Sequence, residues 1–141
     1  MQECIFCKII NGKNKQSKSI IYQDDLVTAF MDRIQPHPGH ILVVPNNHIV
    51  SILEIDDKLA GKLFQVTTKI AKIVKKLFNP HGIDIYQCNG KCAGQSILHM
   101  HIHIFPREYN DKLFSIYPEH KYNRPKEKII NNYAQKIKEL L

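Results

Sequence analysis

His99-Met100-His101-Ile102-His103-Ile104-Phe105 sets three imidazoles two residues apart among apolar side chains. In an extended strand alternate side chains point to opposite faces, so the histidines share one surface while Met100, Ile102 and Ile104 face a core. This alternation predicts a half-buried strand from about Ile97 to Phe105, ended by Pro106. Imidazole, with an ordinary pKa of ~6.5, serves as base, nucleophile or acid near neutral pH, and neighbouring rings can divide those roles. Metal binding is the competing use of such a row. At ~3.3 Å per residue the outer two histidines stand ~13 Å apart, too far for all three to share an ion with bonds of ~2.1 Å.

The flanking sequence predicts an α+β domain. Residues 4–10 suit a short helical segment ending near Asn11-Gly12, followed by a polar loop through Ser17. Ile20 to Gln23 and Leu26 to Met31 read as strands about the Asp24-Asp25 turn. Pro36, Pro38 and Gly39 make the next stretch irregular, and it leads into a strongly apolar strand from His40 to Pro45. Leu59, Leu63, Val66, Ile70, Ile73, Val74 and Leu77 recur at spacings of three and four, giving one long helix over Asp56 to Phe78 that stops at Asn79-Pro80. Ile83 to Gln87 is a further strand, so the sheet has about five strands and is antiparallel. Pro125 to Leu141 suits a final helix whose apolar positions are Ile129, Ile130, Tyr133, Ile137, Leu140 and Leu141. The expected organisation is a single domain over residues 1–141, with 107–141 a variable, helix-bearing extension.

Twenty basic and thirteen acidic residues give a net charge of +7, which favours anionic partners, although lysines scattered over helices also suit plain solvated faces. No run approaches the ~18 apolar residues of a membrane span, so no membrane partner is expected. The start lacks a basic region and a long apolar segment, which places the protein in the cytosol. There the four cysteines stay reduced, for metal binding or packing.

Between two strands, Asn89-Gly90-Lys91-Cys92-Ala93-Gly94-Gln95-Ser96 forms a glycine-containing loop whose backbone N–H groups can face an anion. It delivers Gln95 and Ser96 to the histidine row, where their donors could hold phosphate oxygens, so the expected electrophile is phosphorus. With these residues in place the chain resembles the histidine triad (HIT) family, in its bacterial-type, nucleotide-binding branch. The resemblance rests on His99 to Phe105, Gly94-Gln95-Ser96, the segment Pro38 to Pro45, and Cys4 to Ile10; it covers roughly residues 4–107.

The resemblance implies a HIT-like fold and a hydrolase or transferase acting at the α-phosphate of a purine nucleotide conjugate, of the adenosine phosphoramidate kind. Dinucleoside polyphosphates and aminoacyl adenylates are alternative substrates. His101 is the implied nucleophile, forming a nucleotidyl-imidazole that water hydrolyses. His103 lies on the leaving-group side, Ser96 contacts the phosphate or leaving group, and His40 is the fourth histidine flanking the triad. Asp32 is placed at the ribose hydroxyls, where a carboxylate accepts two hydrogen bonds; a turn residue is its structural alternative. Phe6, Ile9 and Phe30 wall the base, or pack in the core. Gly94, Gln95 and Asn89 complete the substrate contacts. Asn89 enters because Cys88 stands where relatives carry an amide, and a thiol is a poorer donor. Leaving-group preference is assigned to Arg107 to Lys121 with the C-terminal helix.

Cys4-x-x-Cys7 has a zinc-ligand spacing. In relatives that carry this pair, a histidine after the Pro45 strand and the first triad histidine complete the set, which implies His48 and His99 here and a structural Zn2+, one per chain. A four-cysteine site using Cys88 and Cys92 is the weaker rival, and a pair with no metal remains open. The family further implies a homodimer. A nucleotide-binding regulator with incidental hydrolysis is the competing function. A nucleic-acid-binding module is disfavoured, since no interleaved aromatic and basic strand motif or recognition helix is present.

Overall fold

The computed structural model describes residues 4–114 and 125–141. The chain divides into two compact units, Met1–Asp111 and Lys112–Leu141. The first contains α1 (Ile5–Ile10), β1 (Ile20–Gln23), β2 (Val27–Met31), β3 (Ile41–Pro45), α2 (Asp57–Phe78), β4 (Gly82–Gln87) and β5 (Ile102–Arg107). The second contains α3 (Glu127–Lys138), all of whose residues are exposed. No helix among the described residues is long and apolar enough to cross a membrane.

Five strands form one sheet in the order β1-β2-β3-β5-β4, and every neighbouring pair is antiparallel. The expected α+β sheet with one long helix and a C-terminal helix is the observed architecture. β3 is buried at every position. The reason is cover on both faces: Ile41 and Val43 pack with Leu63, Val66, Ile70 and Val74 of α2, while Leu42 and Val44 pack with Phe6 and Ile9 of α1 and with Phe30. A strand enclosed on both faces is apolar throughout rather than alternating.

Helix α2 begins where the Asp56 carboxylate accepts the Leu59 N–H and ends at Asn79, whose φ of 45° is left-handed. Its buried stripe is Leu63, Val66, Thr67, Ile70 and Val74. Ile73 and Leu77, expected in that stripe, are exposed by 47% and 68%. At ~100° per residue Ile73 falls on the flank of the stripe, and Leu77 comes after its last buried member.

The triad segment departs from expectation. β5 starts at Ile102 rather than Ile97, so His99 and His101 precede the strand. It also runs through Pro106 to Arg107. Beyond Ile104 the strand pairs with β4 alone, and a proline is tolerated on such an edge. The predicted separation of faces survives, because Met100, Ile102 and Ile104 all lie in the α2-side core.

Candidate functional site

His99 and His101 are held by hydrogen bonds rather than by a strand ladder. His99 Nε2 lies 2.8 Å from the Pro45 carbonyl and His101 Nδ1 lies 2.7 Å from the His99 carbonyl. A carbonyl only accepts, so each of these ring nitrogens carries the proton, leaving Nδ1 of His99 and Nε2 of His101 with free lone pairs. Both rings are buried, and Phe6 meets them edge-on with centroids 5.8 and 5.2 Å away.

His103, on β5, has its ring centroid 4.8 Å from that of His101. His40 Nδ1 donates to the Ile34 carbonyl at 2.7 Å, which makes His40 Nε2 the acceptor for His103 Nδ1, 3.0 Å away. Asp32 turns one carboxylate oxygen to the Ile34 N–H at 2.8 Å and the other towards His40 Nε2 at 3.7 Å. Its turn role and its place beside the histidines therefore coexist. Burial pushes His101 below the ordinary imidazole pKa. His103 is pushed down to about 3, by burial first and then by the neighbouring His101 and His40. Both rings are neutral at pH 7 in the free protein.

Ser96 stands exposed at the end of the glycine loop. Gln95 does not fit the expectation. Its side-chain nitrogen donates to the Val50 and Ile97 carbonyls at 2.7 and 3.1 Å, its oxygen accepts the Gly90 N–H at 2.8 Å, and its backbone N–H goes to the Gly90 carbonyl. With its donors spent internally, Gln95 anchors the loop and has none left for a phosphate. Asn89 also ties the loop to the segment before α2: its oxygen accepts the Ile52 N–H and one of its amide hydrogens goes to Gln87, which leaves the second amide hydrogen available beside Cys88. Gly94, in a left-handed conformation at φ +93°, lets the chain turn past the Cys88 sulfur, 3.8 Å from where a Cβ would stand.

Cys4, Cys7, His48 and His99 converge with their donor atoms all within 4.8 Å of one another. Cys4 Sγ lies 3.4 Å from His99 Nδ1, and Cys7 Sγ lies 3.5 and 3.6 Å from Nδ1 of His48 and His99. Tetrahedral bonds of ~2.3 Å to sulfur and ~2.05 Å to nitrogen give sulfur–nitrogen edges of roughly 3.5 Å, so these donors fit zinc. The hydrogen bond of His99 to the Pro45 carbonyl is the kind of outer contact that would orient this histidine as a ligand. Cys88 and Cys92 do not belong to this group.

Phe6 and Ile9 from α1, with Phe30 from β2, form a buried apolar cluster on the histidine side of the sheet. Two aromatic neighbours were missed from the sequence. Tyr86 stacks on His103 with centroids 4.1 Å apart, and Phe105 meets His40 edge-on at 4.6 Å. Tyr86 stands directly across from His103 in the β4–β5 pairing, a signal available only once the strand register is known. Of the segment Arg107 to Lys121, residues 115–121 lie outside the described residues. Within it, Arg107 binds Asp84 and Asp111.

Residues 13–110 match the model of the HIT domain. The chain is 43% identical over 106 residues to the Protein hit of Bacillus subtilis, covering 75% of this chain and 72% of that one. It is 32% identical over 104 residues to an adenosine 5′-monophosphoramidase of Schizosaccharomyces pombe, covering 74% of each. A crystal structure of a HIT family member from Bacillus subtilis superposes with a TM-score of 0.88 at 36% identity, covering 99% of this chain and 98% of that one. A zinc-bound histidine triad protein from Mycobacterium smegmatis superposes with a TM-score of 0.71 at 29% identity, covering 79% and 80%. The chain belongs to the HIT family.

Proposed function

We propose that the protein is a nucleotide hydrolase that cleaves at the α-phosphate of a purine nucleotide conjugate, of the adenosine phosphoramidate kind, through a nucleotidyl-histidine intermediate. The observation that carries this reading is the 2.7 Å contact of His101 Nδ1 with the His99 carbonyl. It fixes the tautomer whose Nε2 lone pair is free to attack, and burial keeps that ring neutral. The monophosphoramidase relative supports the same class of reaction.

In the reaction His101 Nε2 bonds to phosphorus as the bond to the leaving group breaks. The departing atom keeps the electron pair and takes a proton from His103 Nε2. His103 is neutral in the free protein, so this proton is acquired as the anionic phosphate binds and offsets the burial penalty on the imidazolium. His103 then returns to the form whose Nδ1–H is accepted by His40. Water next attacks phosphorus, the nucleotide leaves His101, and a proton of that water restores His103. Ser96 contacts the phosphate, Asp32 the ribose and Phe6 the base, with Ile9 and Phe30 packed behind Phe6 in the core.

Cys4, Cys7, His48 and His99 would hold one structural zinc, which supplies a cross-link between α1, the segment after β3 and the triad segment. The protein acts as a homodimer in the cytosol. Exposed Phe64 on α2 and Ile85 on β4 support the dimer, since they line an apolar groove of about 450 Å³ beside β4, the edge strand of the sheet among the described residues.

The deciding experiment is AMP release from adenosine 5′-phosphoramidate by the intact protein and by His101→Ala, with AMP affinity measured on both. Turnover falling at least ~10³-fold while AMP still binds is the expected result for removal of a covalent nucleophile. Binding without turnover in either protein favours a nucleotide-binding regulator; loss of binding in both rejects the site.

A further inference from the structure

His103 is held at its edge by one hydrogen bond, from its Nδ1 to His40 Nε2 at 3.0 Å. The two imidazole planes are 20° apart. A single bond of this kind fixes one corner of a ring and leaves the ring free to rock about it. The face of His103 is covered by a different residue. Tyr86 lies across from it in the β4–β5 register, with ring centroids 4.1 Å apart and planes 12° from parallel. Phe105, whose ring centroid is 6.2 Å from that of Tyr86, meets His40 edge-on at 4.6 Å. His40, His103, Tyr86 and Phe105 are therefore packed as one aromatic group, with an edge contact and a face contact on the same imidazole.

We propose that Tyr86 is a positioning residue for leaving-group departure: its ring, laid against the face of His103, holds the imidazole plane so that Nε2 meets the departing atom. This rests on the hydrolase reading of the site. The electron-rich face of a phenol ring also favours the imidazolium that must form there when the phosphate arrives. Tyr86 touches neither nucleophile nor phosphorus in this scheme. It acts at the moment when the bond from phosphorus to the leaving atom breaks and His103 Nε2 surrenders its proton to that atom.

The scheme separates two kinds of substrate. An N-alkyl adenosine 5′-phosphoramidate expels an amine that needs the proton, whereas the 4-nitrophenyl ester of AMP expels a stable phenolate that does not. Tyr86→Leu keeps an apolar side chain but removes the flat ring; Tyr86→Phe keeps the ring. For Tyr86→Leu we expect kcat/KM on the phosphoramidate, which reports nucleotidyl transfer to His101 ahead of the hydrolysis step that both substrates share, to fall roughly 10- to 100-fold, a part of the 10²–10⁴-fold that general acid catalysis supplies. On the nitrophenyl ester the fall should stay within about threefold, with AMP affinity unchanged, and Tyr86→Phe should stay within about threefold on both substrates.

Equal losses of Tyr86→Leu on both substrates would mark a merely structural role and overturn the proposal, as would no loss at all. A Tyr86→Phe defect as deep as that of Tyr86→Leu would overturn it too, because the ring would then not be the acting part. Failure of the wild-type protein to cleave either substrate is a separate result: it removes the hydrolase reading itself, and this role with it.

Discussion

His99 makes two connections at once: its backbone carbonyl accepts the Nδ1–H of His101 at 2.7 Å, and its ring nitrogen faces the Cys4 sulfur at 3.4 Å. The nucleophile proposed here is thus positioned by a residue of the metal-type cluster. Because His101 must be neutral to attack, and burial lowers its pKa from 6.5, protonation sets in only below that value. The log of kcat/KM for the 4-nitrophenyl ester of AMP should stay level as pH falls from about 8 to 6.5 and decline only beneath. A half-maximal point at or above pH 6.5 would contradict this assignment.

Removal of the proposed zinc should reach the nucleotide site. Helix α1 spans six residues, too few to be stable alone, yet it carries Phe6, the proposed base contact, between Cys4 and Cys7, and Ile9 packed behind it. Chelation is expected to weaken AMP binding at least about tenfold and to lower the melting temperature, with restoration by added zinc. Metal content and calorimetric AMP affinity, followed on the same sample, test this; an affinity indifferent to metal content would uncouple the two sites.

The face assignments along residues 99–105 were legible because apolar and polar residues alternate there, and the course of α2 because its stripe recurs at helical spacing. The strand limits were not legible. Periodicity shows which way His99 and His101 point, whereas their backbone is governed by partners far away in sequence, the Pro45 carbonyl among them. The same holds for Gln95: its neighbours suggest a phosphate donor, while its actual acceptors include Val50, 45 positions earlier. Tyr86 escaped notice for want of a motif, since only the register of β4 on β5 puts it beside His103.

Gln95 and Ser96 should therefore separate on mutation. Gln95→Ala leaves the part-buried Gly90 N–H and the Val50 and Ile97 carbonyls without this partner, at a net cost of about 0.5–1.5 kcal/mol for each hydrogen bond lost. Ser96→Ala, at an exposed position, is expected to change stability by less than about 0.5 kcal/mol while lowering phosphoramidate turnover. Denaturant unfolding and steady-state kinetics on both variants give the comparison. A Ser96→Ala protein as active as wild type would remove Ser96 from the phosphate contacts.

Gly39 controls how His40 enters β3. Its φ is +105°, and a Cβ there would stand 2.9 Å from Val74 and 3.0 Å from Phe78 on α2 and 3.2 Å from Pro106 on β5. Gly39→Ala combines backbone strain with displacement of the Val74, Phe78 and Pro106 side chains, so a loss of about 2–4 kcal/mol is expected. Phosphoramidate turnover should fall as well, because His40 moves with the turn. A melting temperature equal to that of wild type would show that the turn relaxes without disturbing its neighbours.

The Asp24 carboxylate gives the protein an acid-sensitive joint at the turn between β1 and β2. Burial alone would raise its pKa, yet hydrogen bonds from Lys62 and Tyr22 and from the Leu26 and Val27 N–H groups outweigh burial and hold it well below 3.8. A folded pKa below the unfolded one means that the unfolded chain binds the proton more readily. The stabilisation is therefore complete above pH 3.8 and is lost as pH falls towards the folded value. Asp24→Asn should lower the melting temperature at pH 7, and the gap from wild type should narrow progressively below pH 3.8. Lys62, 2.8 Å away, carries only part of the effect, since the pair is partly solvated; Lys62→Met should cost less than Asp24→Asn. Thermal scans of the three proteins across that range decide the matter: a gap between Asp24→Asn and wild type that stays constant down to pH 2.5 would mean that the charge of Asp24 contributes nothing to the turn.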